Sequence, residues 1–177
     1  MKHATFALAL AGAVAGLWAN EAAAQASTNQ VATMSDWSVF AENDPRECWS
    51  VSAPQKSTAS RDGKDVTSQV RRGEIFLYAT FRPAGGVTGE IAFTGGYPFA
   101  SGSTVRVEIG RDSFDLVTQD EWAWSANSDQ DAALREAMKG GETAVLTGRS
   151  ARGTETKDTF SLIGFTAALG EAETRCK

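Results

Sequence analysis

Cys48 and Cys176 are the only two cysteines in the 177-residue chain, and such a pair is open to three chemistries: a disulfide, two free thiols, or two soft metal ligands. The one histidine is His3. Past the N-terminal segment the chain therefore has none, which removes Ser-His-Asp and Cys-His nucleophile systems and every histidine-containing metal site. The same lack, with no Cys-x-x-Cys motif, weighs against a reactive thiol. Gly148-Arg149-Ser150-Ala151-Arg152-Gly153 sets a serine among glycines, but its Gly-x-Ser-x-x-Gly spacing is not that of a nucleophile elbow and no base accompanies it. Arg149 and Arg152 are the groups in this loop able to hold an anion; the plainer reading is a hairpin connection. Glu121-Trp122-Ala123-Trp124 puts two indoles on one side of a short strand, as a wall of the core or as an aromatic platform for sugar or protein. The core is the expected place. Gly95-Gly96-Tyr97-Pro98-Phe99 lacks the spacing of a phosphate cradle and reads as a turn. No motif proposes a catalytic residue, a cofactor or a metal, and scattered carboxylates leave a glycosidase-like pair as the remaining enzymatic route.

The elements that position these groups begin after a targeting segment. Residues 1–26 have a basic start at Lys2, an apolar run from Ala4 to Trp18 and small residues up to Ala26, the pattern of a cleavable secretory signal. The run is shorter than the roughly 20 residues of a spanning helix. No second candidate follows, so no integral membrane segment is expected in the mature chain. No lipid-anchor cysteine stands at the expected cleavage point, and a periplasmic or cell-surface location follows. Export favours the disulfide among the cysteine readings. Removing 26 of 177 residues leaves 151, one domain with a sizeable core. The net charge of −5 makes a poor nucleic-acid binder.

Residues 27–35 are polar and expected as a flexible leader, with a single domain over 36–177. Alternation marks strands around Trp37–Val39 and Cys48–Ser52, and Asp62-Gly63 is a hairpin signal. The segment from Gln55 to Gln69 is expected to be exposed. Glu74–Arg82 is the strongest strand: Ile75, Leu77, Ala79 and Phe81 share one face and Phe76, Tyr78 and Thr80 the other, as in a strand covered on both sides. Further strands place Ile91 and Phe93, then Val105, Val107 and Ile109, then Phe114 and Leu116 inward. Ser128–Lys139 reads as a short amphipathic helix with Ser128 and Asp131 at capping-box spacing and Asp131 and Arg135 on a solvated outer face. Phe165, Leu169, Ala172 and Cys176 form the apolar stripe of a C-terminal helix. Short strands with glycine-rich turns predict a mainly β domain, an antiparallel β-sandwich or partly closed barrel with one short helix and a C-terminal helix packed on it.

Phe81-Arg82-Pro83, Gly96-Tyr97-Pro98-Phe99, Ala123-Trp124 and above all Asp158-Thr159-Phe160-Ser161-Leu162 with Gly164-Phe165 and Cys176 resemble the invasion-associated locus B family of exported bacterial proteins. The resemblance runs from about Trp37 to Cys176. It implies a cell-envelope protein in a family named for a role in host-cell invasion, and it carries no catalytic or ligand residues to map here. The expected function is contact without catalysis, with an envelope or host-surface protein or a glycan as partner and Trp122, Trp124, Arg149 and Arg152 as the candidate contact surface. A carboxylate-dependent periplasmic hydrolase and a small-ligand carrier are the alternatives.

Overall fold

Period-two alternation organises the computed structural model, which describes residues 28–177; the expected signal segment lies outside the described residues. The stretch expected as a leader already belongs to the sheet, because β1 (Gln30–Met34) pairs with β2 (Trp37–Asn43). Its polar composition conceals an edge strand whose Ala32 and Met34 alone lean on the core. In β2 and β3 (Arg46–Ser52), Trp37, Val39, Cys48 and Ser50 are buried, while Phe40 and Trp49 point the other way. The segment expected to be exposed contains β4 (Lys56–Arg61) and the short β5 (Lys64–Asp65), joined through Asp62-Gly63. Both turn residues have positive φ, 51° and 73°, as a tight hairpin requires.

β6 (Phe76–Arg82) buries Leu77, Ala79 and Phe81, and β7 (Val87–Thr94) buries Ile91 and Phe93. β8 (Thr104–Ile109) and β9 (Asp112–Gln119) form a hairpin with Val105, Val107, Ile109 and Leu116 inward. β10 (Trp122–Trp124) fits between β7 and β9, and β11 (Thr143–Arg149) and β12 (Glu155–Ser161) complete the set. The result is one open twelve-stranded sheet in the order β1-β2-β3-β6-β7-β10-β9-β8-β11-β12-β4-β5, with antiparallel neighbours. It curls onto itself. Phe93 on β7 meets Phe160 on β12 edge to face at 6.0 Å, although four strands separate them in the sheet. The expected sandwich-like, partly open architecture is therefore what forms.

Two helices fasten the curl. α1 (Ser128–Gly140) is capped by Asn127, whose side chain accepts from the Gln130 N–H at 2.9 Å, rather than by Ser128. Asp131 and Arg135 do not form a solvated outer pair. Gly89 is an extra residue in β7, lying between Thr88 and Glu90, which face the consecutive residues Phe81 and Thr80. At this bulge Asp131 accepts the Ile91 N–H at 3.0 Å, and Arg135 donates to the Gly89 carbonyl at 2.9 Å and to Asp131. A β-bulge leaves backbone groups outside the ladder, and the ion pair serves them, stitching α1 to the sheet.

α2 (Phe165–Arg175) presents Phe165, Ala168, Leu169 and Ala172 to β1, β2, β3 and β6. Gly164 precedes it with φ of 93°, and a Cβ there would lie 1.9 Å from the Met34 carbonyl oxygen. Only glycine fits that approach. The Trp37 indole stacks at a tilt on Phe165 with centroids 4.9 Å apart and donates to the Ser161 carbonyl at 3.0 Å, so β2, the end of β12 and α2 share one buried anchor.

Candidate functional site

The outward face of β2, β3, β6, β7 and β10 follows from the same alternation that fills the core: if Leu77 and Ala79 point in, Phe76 and Tyr78 must point out. Among the described residues no layer covers them. The expectation that β6 is covered on both sides is thus corrected; its second face is the floor of an open groove of about 1060 Å³. Six aromatic residues line it, Phe40, Trp49, Phe76, Tyr78, Trp122 and Trp124. Cross-strand register sets their arrangement. Phe40 faces Trp49, which faces Thr80; one row along, Val51 faces Tyr78, which faces Ala92, which faces Trp124; beyond that Phe76 faces Thr94, which faces Trp122. Phe40 and Trp49 stack nearly parallel, 6° between planes, at 5.4 Å, and Phe76 meets Tyr78 edge-on at 5.9 Å.

The two tryptophans share a face, as their spacing predicts, but the face is the outer one. The buried residue of β10 is Ala123, whereas Trp122 is 42% exposed and Trp124 is half-buried. The reason is space: Ala123 lies over the closed core, where an indole has no room. Charge sits at one end of the groove. Arg82 donates to Glu47 at 2.7 Å and reaches Glu90 at 3.5 Å, and all three are solvent-accessible enough for screening to leave the pairs weak. Glu74 lines another part of the groove; burial, with a further contribution from Glu74, pushes the Tyr78 phenol up to about 12.

Arg149 and Arg152 do not join the tryptophans. Arg149 is exposed at the end of β11, away from the groove, and Arg152 lines a second, smaller cavity. In the wall of that cavity lies a polar centre that sequence reasoning missed. Arg72 makes a two-pronged contact with Asp158, at 2.8 and 2.7 Å, donates to the Gly95 carbonyl at 2.9 Å, and lies 5.1 Å over the Tyr97 ring. The Tyr97 hydroxyl hydrogen-bonds Thr156 at 2.6 Å, and burial raises its pKa. Asp158 has the look of an ordinary polar residue of an alternating strand; it points inward, fully buried.

Cys48 and Cys176 are bonded, with Cα atoms 5.8 Å apart and a sequence separation of 128, within the spacing a disulfide demands. The free-thiol and metal-ligand readings end there. The bond ties the end of α2 to β3, beneath the aromatic face.

The whole is an open antiparallel β domain, with a helix tied to its inner face and a solvent-facing aromatic floor on the other. Residues 37–173 match the family model described as invasion associated locus B (IalB) protein, so the chain belongs to the IalB family. Its fold is similar to the crystal structure of invasion associated protein B from Bartonella henselae, with a TM-score of 0.53 and 13% identity over 81% of this chain and 95% of that one. At that identity the likeness concerns the fold. No curated protein sequence matches the chain.

Proposed function

We propose that this IalB-family protein is exported to the cell envelope and acts without catalysis, by holding a glycan on its aromatic face. One observation carries the reading: six aromatic residues from four strands line an open groove on the uncovered side of the sheet, where a soluble domain gains nothing from leaving them to water. Sugar rings present apolar C–H faces that lie on indole and phenol rings, while their hydroxyls need acceptors and donors at the margins. The groove supplies those as Glu47, Glu74, Arg82 and Glu90. Its volume of about 1060 Å³ lies just above the roughly 300–1,000 Å³ of small-molecule sites, and suits a chain of sugars better than one ring.

Export is supported by the disulfide and by the basic-then-apolar start of the sequence. Among the described residues no helix is long and apolar enough to cross a membrane. A hydrolase reading is weaker because Glu47 and Glu90 are both engaged by Arg82, and a carrier reading is weaker because the groove is open rather than enclosed.

The test is a glycan array carrying bacterial-envelope and animal-surface oligosaccharides, read with the intact protein and with Trp122→Ala and Trp124→Ala. Saturable binding to a set of oligosaccharides, weakened by tenfold or more in both variants, is expected, because taking one ring out from under a sugar costs about that factor. No glycan bound, with an envelope protein captured through the same tryptophans, would replace this reading by protein contact.

A further inference from the structure

The smaller cavity, about 530 Å³, gathers arginines from three separate parts of the chain: Arg61 at the end of β4, Arg71 and Arg72 ahead of β6, and Arg152 in the β11–β12 turn. This concentration runs against the charge of the chain as a whole, which is −5. Arg72 is neutralised by Asp158 and serves as structure. The other three differ. Arg61 donates Nε and Nη2 to the Thr154 hydroxyl, at 3.2 and 2.7 Å, and has no carboxylate partner; among the described residues Arg71 and Arg152 have neither a hydrogen-bond nor an ion-pair partner. Among the described residues Glu121 is the one carboxylate on the wall. Three unpaired guanidiniums against one carboxylate leave two positive charges facing the same space.

The surrounding framework is fixed before any ligand arrives. The turn bearing Arg152 is closed by Gly153 N–H to Ser150 carbonyl at 2.8 Å and tied to the neighbouring loop by Ala151 N–H to Pro98 carbonyl at 2.9 Å. The Thr154 hydroxyl, which accepts from Arg61, keeps its own proton to donate. The Tyr97–Thr156 hydroxyl pair and the Arg72 guanidinium above the Tyr97 ring stiffen the wall. Like charges are brought together here by a sheet order that sets β12 beside β4, and their mutual repulsion costs stability unless an anion relieves it.

We infer that this cavity binds a phosphate monoester through Arg61, Arg71 and Arg152. A monoester carries a charge of about −1.5 to −2 near neutral pH and three acceptor oxygens, which matches the two uncompensated charges; a carboxylate would leave one over. Guanidinium groups are suited to phosphate because their paired N–H donors meet two oxygens at once. The volume exceeds that of the phosphate itself, so the organic group it esterifies also enters. That group belongs to a free small molecule or to a lipid headgroup, and the chemistry is shared.

Calorimetric titration of the disulfide-intact protein with phenyl phosphate, and flotation with vesicles containing phosphatidic acid, separate the two sources. One-to-one binding of either is expected, weakened by about tenfold or more in each of Arg61→Gln, Arg71→Gln and Arg152→Gln, the factor for one charge-assisted hydrogen bond. All three side chains are exposed, so the variants fold, which their melting temperatures verify. Arg111→Gln, on the exposed β8–β9 turn, leaves affinity unchanged, and so does Trp122→Ala, which separates this site from the aromatic groove. The inference is overturned if neither phosphate ligand binds at millimolar concentration, if Arg111→Gln weakens binding as much as the others, or if benzoate binds as tightly as phenyl phosphate.

Discussion

Tyr78 and Trp122 meet across an intervening strand, ring centroids 5.6 Å apart and planes tilted by 43°. Small side chains on β7 permit the contact: Ala92 faces Tyr78 and Thr94 faces Trp122, and neither stands high enough to part the rings. The pair thus joins the aromatic residues of β2, β3 and β6 to those of β10 in one continuous floor.

Because this floor is open, its residues contribute to binding more than to folding. Trp122→Ala is expected to lower stability by only about 1 kcal/mol, the worth of an aromatic pair, whereas Trp37→Ala, at a fully buried indole, costs about 3–5 kcal/mol. Urea denaturation of the two variants measures the contrast. Equal losses would mean that Trp122 is a core residue and would remove the basis for a binding face.

The two tyrosines, the only ones in the chain, provide a pH test. Burial comes first in raising Tyr78 to about 12, with the Glu74 carboxylate adding to it, and burial also raises Tyr97 against the opposing effect of its Thr156 hydrogen bond. A phenol in the unfolded chain titrates near 10, so the folded state holds these protons more tightly. The stability that the Tyr78 shift represents is fully present below about pH 10 and is lost as pH climbs through about 12, and the Tyr97 shift acts in the same direction. Spectrophotometric titration should place the Tyr78 step near pH 12 and displace that of Tyr97 upward from the ordinary phenol range. A reversible full step within that ordinary range, with the fold intact, would place both hydroxyls in solvent.

How much of this is legible in the sequence depends on which physical signal each residue sends. Alternation finds the inward residues Leu77, Ile91, Val105, Val107 and Leu116, because burial on one face leaves a period of two. It cannot say whether the opposite face is covered. Phe76, Tyr78 and the two tryptophans look the same in sequence whether a second layer packs on them or not, and the sheet order that leaves them open is a non-local property. Polar residues mislead in the other direction: Asp131 reads as a surface group because its partner, the Ile91 N–H, comes from a distant segment, and for the same reason nothing in the strand pattern announces that Asp158 meets the Arg72 guanidinium. The arginine cavity is half visible. Arg152 stands out in its glycine-bounded loop, but Arg61 and Arg71 become its neighbours only when β4 pairs with β12.

The Arg72–Asp158 pair makes the sharpest stability prediction. Both side chains are almost wholly withdrawn from water, 10% and 0% exposed, so removing one partner strands a buried charge. Asp158→Ala should cost about 3–5 kcal/mol, while replacing both residues together, Arg72→Met with Asp158→Leu, should recover most of that stability. Chemical denaturation of the single and double variants decides it. A double variant no better than the single would show that the hydrogen bond from Arg72 to the Gly95 carbonyl, and not the charge balance, is what the fold needs.

The Cys48–Cys176 bond closes a loop across a sequence separation of 128, so it restrains nearly the whole domain in the unfolded state. Chain entropy assigns such a loop about 5 kcal/mol, a large share of the roughly 5–15 kcal/mol that holds a domain together. For a domain of this size each kcal/mol moves the melting temperature by about 2–4 °C. Reduction, or Cys48→Ala with Cys176→Ala, should therefore lower it by about 10–20 °C. The helix itself should stay docked at low temperature, because Phe165, Ala168, Leu169 and Ala172 remain buried against β1–β3 and Trp37 still donates to the Ser161 carbonyl. Calorimetry gives the shift, and fluorescence of the buried Trp37 reports docking. Disappearance of that signal at low temperature on reduction would show that the bond, rather than the packing, holds α2 in place, and the aromatic face that β2 and β3 help to form would then depend on an oxidising compartment.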